Sequence, residues 1–415
     1  MTIKARKLVL HNVDLLFRVA GLGGKFLLML VLAKTMPASE MGAFGLVTSA
    51  ISVCLYFVGL DFYVYSTREV LSNNTEKSVG DIIYNQFLFF VATYILLLIF
   101  WPFISSISNV TDFSTVAFLL IITEHLSQEL YRILIALKKN KFANFCLFVK
   151  SGAWCYVLIP FLFYKHIELK YVFSTWFIFS LTTVLMSFIY LNKIGLLKIS
   201  NKMPDMKWIM HGIKICAFFF LGTIAIRAMS YLDKVIAIHF IDLNILGVYV
   251  FYVGIANAIQ SVVDVLIMTR YYPDVVKHVQ NNNVSESKSS LRAFRSNNIR
   301  LNILLYILGA SFCYGVALLT GKQIYLNYYV IFIMISISNI ILNISMPYHY
   351  WIYAKKKDRF LICTNVYALV MFVVIAYGCF TFIPQIGIMA VLLAVIFSNL
   401  FILFRKKSYY HKVLS

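Results

Sequence analysis

Four basic side chains interrupt two strongly apolar stretches of the sequence. Arg18 and Lys25 lie seven residues apart, and Arg227 and Lys234 repeat that spacing 209 residues later. A spacing of seven places both members of each pair on one face of a helix. Guanidinium and ammonium groups bind phosphate and acidic sugars. The pattern therefore predicts a cationic cavity for an anionic ligand, with Lys150 in a third apolar stretch as its fifth candidate.

The same charges also have a structural explanation. An ionised side chain at the centre of a transmembrane helix costs roughly 2.5–3.5 kcal/mol, so it normally faces a wet cavity or a partner. Asp14, four residues before Arg18, is a candidate partner in an internal ion pair. Long basic side chains near a helix end can also reach the membrane interface. Both explanations stay open at this point.

Carboxylates in the same stretches are candidates for ion coupling or gating. These residues are Asp61, Glu124, Asp233 and Asp264. Asp61 precedes Arg68, and Asp264 precedes Arg270, near the ends of apolar runs, so these pairs are candidates for an inner gate. Ordinary solvation at a helix end is the alternative. Glu124 and Asp233 lie deeper in their runs, where a carboxylate could carry a proton or a cation.

The elements that position these residues follow from composition. The chain has 415 residues, 61% hydrophobic and 13% charged, against roughly 45–50% and 25% in soluble domains. Apolar runs recur at close to the roughly 20 residues that cross a bilayer as a helix. We therefore predict an all-α polytopic membrane protein with about twelve transmembrane helices. They are expected near 13–33, 41–63, 82–103, 113–133, 145–164, 171–191, 212–238, 246–269, 299–320, 325–346, 361–382 and 387–404.

The distribution of Lys and Arg predicts the orientation. The connections on the N-terminal side of the membrane hold or adjoin 28 of the 37 basic residues, and the opposite connections hold 4. Basic residues concentrate on the cytoplasmic side of membrane proteins, so both termini are predicted to be cytoplasmic. The formal charge of +20 is explained by this bias, and nucleic acid is not an expected partner.

An internal repeat predicts two pseudo-symmetric six-helix bundles, 1–197 and 198–415. Besides the basic pairs, Met41-Gly42 corresponds to Leu246-Gly247, displaced by 205 residues. The basic turn 138–142 corresponds to 356–360, displaced by 218 residues. Because six is an even number, the halves share one orientation, as in several secondary transporters. The basic pairs would then line a path between the bundles.

Several catalytic and nucleotide-binding motifs are missing. The sequence has no phosphate-binding loop, no His-Glu-x-x-His, no Cys-x-x-Cys and no Gly-x-Ser-x-Gly. These motifs mark nucleotide hydrolysis, metal-dependent proteolysis, redox or zinc chemistry, and serine hydrolases. We therefore expect no metal, no cofactor and no enzymatic activity, with transport driven by a gradient or a partner.

Motifs along the whole chain resemble a known family. They are Leu32-Ala33-Lys34-Thr35-Met36-Pro37, Glu40-Met41-Gly42, Gly59-Leu60-Asp61, Thr67-Arg68-Glu69, Lys138-Lys139-Asn140-Lys141 and Leu246-Gly247-Val248-Tyr249. Together they are similar to the polysaccharide branch of the multidrug/oligosaccharidyl-lipid/polysaccharide (MOP) exporter superfamily, and within it to the Wzx-type O-antigen flippases.

The resemblance implies a substrate and a location. It implies that an O-antigen or other polysaccharide repeat unit on undecaprenyl pyrophosphate moves from the cytoplasmic to the periplasmic leaflet of the bacterial inner membrane by alternating access. Expected partners are this lipid-linked oligosaccharide, membrane lipids, and the polymerase and chain-length proteins of lipopolysaccharide biosynthesis. Two alternatives remain: a gradient-driven multidrug exporter of the same superfamily, and a membrane enzyme of glycan assembly, such as a polymerase or acyltransferase.

Overall fold

A computed structural model describes residues 3–71, 78–107, 110–164, 167–196, 204–281 and 283–414, with side chains described from residue 16 onward except at 284 and 414. Every regular element in these residues is helical. The helices of the first half are α1 Ile3–Thr35, α2 Ala38–Gly59, α3 Tyr63–Leu71, α4 Val79–Ile107, α5 Ser114–Ala136, α6 Asn140–Phe148, α7 Trp154–Tyr164 and α8 Leu169–Lys193. Those of the second half are α9 Met206–Ile238, α10 Leu243–Val263, α11 Thr269–Gln280, α12 Val284–Thr320, α13 Gln323–Asn327, α14 Val330–Ala354, α15 Asp358–Phe382 and α16 Met389–Leu414.

Eleven helical stretches within the described ranges are long and apolar enough to cross a membrane. The predicted helix at 113–133 is α5, which forms but is not among these eleven. Its 23 residues span about 34 Å, enough for a bilayer, but Glu124, His125 and Glu129 reduce its apolarity. The predicted all-α multi-pass fold is confirmed, and the helix that differs from the others is the one that buries these charged and polar groups.

The basic turns of the predicted repeat share one backbone structure. Lys138 and Lys356 both adopt the left-handed conformation, with φ of 60° and 56°. In each turn the amide of the following lysine bonds the carbonyl five residues earlier, at 2.8 Å in the first half and 3.3 Å in the second. This bond is the standard closure of a helix C-terminus.

An aromatic stack follows each of these turns. Phe142 of α6 stacks on Tyr190 of α8, with ring centroids 4.2 Å apart. Phe360 of α15 stacks on Tyr409 of α16 at 4.1 Å. Both partners of the second stack correspond to those of the first at offsets of 218 and 219 residues, so the pseudo-symmetric halves that the sequence predicted are confirmed.

Glycines hold the start of α2 against the start of α10. A Cβ added to Gly247 would overlap the carbonyl oxygen of Ala38, and one added to Gly42 would lie 2.5 Å from that of Leu243. The two contacts are equivalent in the repeat, because Gly247 corresponds to Gly42 and Leu243 corresponds to Ala38, each displaced by 205 residues. Residues that correspond in the repeat therefore meet around a local pseudo-twofold axis.

The described contacts divide the chain into two compact units. Unit 1 comprises Met1–Thr35 and Leu46–Phe220, and unit 2 comprises Met36–Gly45 and Leu221–Ser415. The long helices α2 and α9 each contribute residues to both units. The division into bundles at 197/198 stays a prediction.

The predicted connection between residues 270 and 298 is largely helical. It holds α11 and the first part of α12, separated by a short turn. Asn283 caps α12 by accepting a hydrogen bond from the Glu286 amide at 3.3 Å, the arrangement that Asn at a helix start favours. The apolar runs predicted here are 246–269 and 299–320, so most of α11 and the first turns of α12 lie outside them. These helical turns are polar, and in the sequence they resemble a loop.

The predicted helix 41–63 is interrupted. The helix α2 ends at Gly59, and Leu60 and Asp61 have φ of 45° and 51° before α3 begins. Left-handed backbone at two non-glycine residues is uncommon. The break places the Asp61 side chain in a buried position, 7% exposed.

Candidate functional site

The first cationic pair lies on α1 in unit 1. Arg18 and Lys25 are both exposed, within a stretch of α1 that is long and apolar enough to span a membrane. The Arg18 guanidinium donates from Nε to Asn144 Oδ1 at 3.2 Å and from Nη2 to the Tyr131 hydroxyl at 3.4 Å. Both partners are neutral, so the positive charge of Arg18 is oriented but not cancelled by them. The side chain of Asp14, the predicted ion-pair partner, lies outside the described residues.

Close packing of glycines fixes α1 against the segment that carries Lys150. Residues Val149–Ala153 form one π-helical turn between α6 and α7. A Cβ on Gly152 would lie 2.6 Å from Gly21 Cα, and one on Gly24 would lie 3.0 Å from Gly152 O. Small residues allow such approach between membrane helices. Gly21 and Gly24 of α1 therefore allow the two segments to pack closely.

Lys150 is paired with Glu124 inside unit 1. Its Nζ lies 3.0 Å from Glu124 Oε2 and also donates to the Glu124 carbonyl oxygen at 3.0 Å. The other carboxylate oxygen accepts from Trp176 Nε1 at 2.8 Å. Glu124 is 5% exposed, so a lysine, a glutamate and an indole form a compensated buried cluster. Single-turn π-helices occur often at functional sites, and this one carries Lys150.

A second buried cluster lies further along α5. Glu129 accepts from Gln86 Nε2 at 2.9 Å and forms an ion pair with Arg132. The Arg132 guanidinium lies 3.5 Å from the centroid of the Tyr63 ring, a cation–π contact. These contacts explain how a membrane-length helix holds several charges.

Unit 2 contains a matching lysine–carboxylate pair. Lys234 Nζ lies 3.1 Å from Asp233 Oδ1 and donates to the Ser230 carbonyl at 2.9 Å. The Tyr249 hydroxyl donates to Asp233 Oδ2 at 2.7 Å. Asp233, Lys234 and Tyr249 are all buried, whereas Arg227, two turns earlier on α9, is exposed. The second cationic pair is thus divided into one exposed and one compensated residue.

Asp264 lies on a polar network that crosses three helices of unit 2. It begins the π-helical turn Asp264–Met268, is exposed, and accepts from Gln260 Nε2 at 2.9 Å. Gln260 and Asn343 exchange two amide hydrogen bonds of 3.0 and 2.8 Å. Asn343 also donates to Asn302 at 2.6 Å, and Asn302 donates to Asn298 at 2.7 Å. Three buried asparagines therefore order the glutamine that holds this carboxylate.

Comparisons with known proteins identify the fold. No family model matches the sequence, and no curated protein matches it. Among solved structures, a point mutant of the Vibrio cholerae MATE transporter VcmN gives a TM-score of 0.62 at 12% identity, over 98% of this chain and 97% of that one. The inward-closed lipid II flippase MurJ gives 0.63 at 15% identity, over 96% and 87%. An outward-facing multidrug resistance MATE transporter of the MOP superfamily gives 0.61 at 14% identity, over 97% and 92%.

The chain has the MOP fold. Likeness over nearly the full length of three transporters, together with eleven apolar spans in the described residues, makes it a multi-pass membrane protein. Identities of 12–15% establish the architecture and leave the substrate to be argued from the side chains.

On the MOP fold, the predicted cationic residues separate into two groups. Arg18, Lys25 and Arg227 are exposed, while Lys150 and Lys234 are held by carboxylates. Internal ion pairing, the structural explanation for these charges, therefore holds for Lys150 and Lys234. Sequence reasoning missed Trp176 and Tyr249, which complete these pairs, because an aromatic residue in an apolar helix gives no signal of its hydrogen-bond partner.

Proposed function

We propose that this chain moves an anionic lipid-linked oligosaccharide, an O-antigen or other polysaccharide repeat unit on undecaprenyl pyrophosphate, from the cytoplasmic to the periplasmic leaflet of a bacterial inner membrane. The observation that carries the proposal is the pair Arg18 and Lys25 on α1. Both are exposed within an apolar span, and neither forms an ion pair among the residues whose side chains are described.

The charge of this pair needs a counterpart. A guanidinium or ammonium group in contact with lipid tails is strongly unfavourable, so such groups normally border a wet cavity or an anion. Lys150 and Lys234 have carboxylates for this purpose, and the partners of Arg18 among the described side chains are neutral. An arriving pyrophosphate would supply the missing negative charge.

The geometry of Arg18 suits a phosphate ligand. Asn144 and Tyr131 hold the guanidinium through Nε and Nη2, so its plane is fixed before a ligand binds. A preorganised guanidinium can donate two parallel hydrogen bonds to phosphate oxygens, whereas an ammonium acts as a point charge. Lys25, two turns away on the same face, would then meet the second phosphate or the sugar.

The lipid-linked substrate class is also supported by the fold. One structure that shares it is described as the lipid II flippase MurJ. Another is described as a multidrug resistance MATE family transporter, and it shares the fold about equally well. Exposed cations repel cationic drugs and attract phosphates, so the side chains favour the lipid-linked anion over a cationic drug. The transporter fold also favours transport over the enzymatic alternative.

The carboxylates complete the proposal. Glu124 and Asp233 each form an ion pair with a lysine. If a proton or a cation replaced the lysine at either carboxylate, the distribution of charge within that unit would change. We propose coupling or gating roles for these two residues, with Asp61 at the end of α2 and Asp264 after α10 as further gating residues. Polymerase and chain-length proteins of the same pathway are proposed partners.

Binding by the purified protein tests the proposal. Undecaprenyl pyrophosphate added in detergent should raise the unfolding temperature of the wild type, and the shift should be lost in a variant that combines Arg18→Gln with Lys25→Met. Lys34→Gln, which removes an exposed lysine at the end of α1, is the matched control and should keep the shift. An equal shift in all three proteins, or a shift with a cationic dye and none with the pyrophosphate, would refute the proposal.

A further inference from the structure

A buried lysine that forms no ion pair within the described residues lies between α14 and α16 of unit 2. Lys406 is 3% exposed, and its ammonium forms no hydrogen bond or ion pair with any described side chain. Neither α14 nor α16 contains an Asp or Glu. Burying a charge without compensation is strongly unfavourable, so this residue needs an explanation that packing alone does not give.

The register of the two helices places polar groups beside Lys406. Asn399 Nδ2 donates to Ser338 Oγ at 2.8 Å, and the rings of Tyr410 and Tyr348 lie 5.4 Å apart. These contacts show parallel helices with offsets of 61 and 62 residues. The same offset puts Ser345 level with Lys406 and His349 one turn further along α14.

Two polar atoms near Lys406 have no hydrogen-bond partner within the described residues. Ser345 Oγ and His349 Nδ1 are buried and make no hydrogen bond to the described residues. The register of α14 and α16 places Lys406 and His349 about one helical turn apart along the interface of the two helices. An amine, an imidazole nitrogen and a hydroxyl therefore lie at one part of this interface. The ammonium can donate hydrogen bonds, and the imidazole nitrogen and the hydroxyl can donate or accept them.

Charged groups on the surrounding elements have other partners or other positions. Arg295 of α12 donates to the Tyr348 hydroxyl at 3.3 Å. Arg405, the neighbour of Lys406, lies over the Tyr367 ring of α15 at 4.8 Å. Asp358 begins α15, and Asp264, after α10, bonds Gln260. Within the described residues, none of these groups forms an ion pair or hydrogen bond with Lys406 or His349.

The pseudo-symmetric half carries neutral side chains at the positions that correspond to these two bases. Offsets of 218 and 219 residues, established by the two aromatic stacks, make Ser127, Tyr131 and Ser187 the counterparts of Ser345, His349 and Lys406. Ser187 is buried and bonds Cys146 Sγ at 3.7 Å. At the three corresponding positions unit 1 thus carries two serines and a tyrosine, so Lys406 and His349 have no basic counterpart there.

We propose that Lys406 and His349 form a proton-binding site that holds one exchangeable proton between α14 and α16. On uptake, a hydronium ion gives a proton to Lys406 Nζ or His349 Nδ1: one O–H bond breaks, one N–H bond forms, and a water molecule is left. A proton needs no additional space, which suits an interface between packed helices. Two bases this close disfavour a second positive charge, so the pair titrates as one unit. The site would supply a coupling ion to the proposed transport but is inferred from unit 2 alone.

Titration of His349 tests the site without any transport assay. Full-length protein labelled at histidine ¹³Cε1 is placed in nanodiscs, and His349→Gln assigns the resonance among the eight histidines. Lys406→Ser, which installs the residue found in unit 1, should move the His349 midpoint by at least about one pH unit, the coupling expected of interacting sites. Lys407→Ser removes the adjacent exposed lysine and should leave the midpoint unchanged.

Three results would overturn the proposal. The first is one midpoint shared by the wild type and Lys406→Ser. The second is a wild-type midpoint that follows chloride or phosphate concentration at constant ionic strength, which would identify an anion site. The third result concerns folding and uses a second variant, Lys406→Met, which keeps the length of the side chain and removes the charge. If neither Lys406→Ser nor Lys406→Met folds, the charge of Lys406 serves packing and the proposal is wrong.

Discussion

Lys150 Nζ lies 3.0 Å from Glu124 Oε2 across two helices of unit 1, and Trp176 donates to the opposite carboxylate oxygen at 2.8 Å. Unit 2 pairs Lys234 with Asp233, where a tyrosine hydroxyl takes the place of the indole. Each unit therefore compensates one intramembrane lysine with its own carboxylate. Arg18 and Lys25, the exposed cations of the proposed site, have no such carboxylate among the described side chains.

Replacing only one residue of the Lys150–Glu124 pair should destabilise the protein more than replacing both. Glu124→Gln leaves a partly buried ammonium without its carboxylate, and loss of one partner of a fully buried pair costs about 3–5 kcal/mol, which is the upper limit expected here. The double variant Glu124→Gln, Lys150→Met removes both charges and should recover part of that loss. Thermal unfolding in detergent measures the difference, and a double variant no more stable than Glu124→Gln would contradict it.

The glycine contact between α2 and α10 should not tolerate a side chain. Gly247→Ala puts a methyl group onto the Ala38 carbonyl, so the helices must separate and we expect little folded protein. The control is Gly378→Ala on α15, where nothing lies within 4 Å of the added carbon. That change should gain roughly 0.5–1 kcal/mol, the usual preference for Ala over Gly in a helix. Yield of monodisperse protein after size-exclusion chromatography distinguishes the two, and equal yields would contradict the packing described.

Arginine should not be replaceable by lysine at position 18. Asn144 and Tyr131 bind two different nitrogens of the guanidinium, and an ammonium cannot reproduce that fork. Arg18→Lys should weaken binding of undecaprenyl pyrophosphate by about tenfold, or roughly 1.4 kcal/mol. Titration by tryptophan fluorescence or calorimetry measures the change. Tyr131→Phe removes one of the two bonds and should give a smaller loss, and unchanged affinity in Arg18→Lys would argue against preorganisation.

The amide network of unit 2 should be sensitive at its centre. Asn302→Leu deprives Asn343 of an acceptor and Asn298 of a donor, both at fully buried positions. An unsatisfied buried polar group costs about 1–3 kcal/mol, so a loss of at least this size is expected in thermal or denaturant unfolding. Asn257→Ala, an exposed position on α10, is the control. Equal stability of the two variants would show that the network contributes little.

Much of the architecture could be predicted from apolar runs and from the repeat. Helices such as α14 and α15 are long and apolar, so length and composition determine them. The match between the turns at Lys138 and Lys356 extends to their backbone conformation, because the same residue types close equivalent helices. The start of α12 could not be predicted in this way, because its first turns and its cap at Asn283 are polar and resemble a loop.

The pairing of charges could not be predicted in the same way. Arg18, Lys25, Lys150, Arg227 and Lys234 look alike in sequence, since each is a basic residue in an apolar run. Their difference depends on residues that are distant in the chain, such as Glu124 for Lys150 and Asn144 for Arg18. Asp233 beside Lys234 was visible, but adjacent residues on a helix do not normally face each other.

Flipping by purified protein in liposomes tests the central claim most directly. A fluorescent undecaprenyl-pyrophosphate oligosaccharide is incorporated in both leaflets, and a membrane-impermeant reductant destroys the label that reaches the outer surface. We predict that wild type and Lys34→Gln make nearly all label accessible, whereas the Arg18→Gln, Lys25→Met variant leaves the inner half protected as in empty liposomes. Full accessibility with the double variant, or protection with the wild type, would contradict the account.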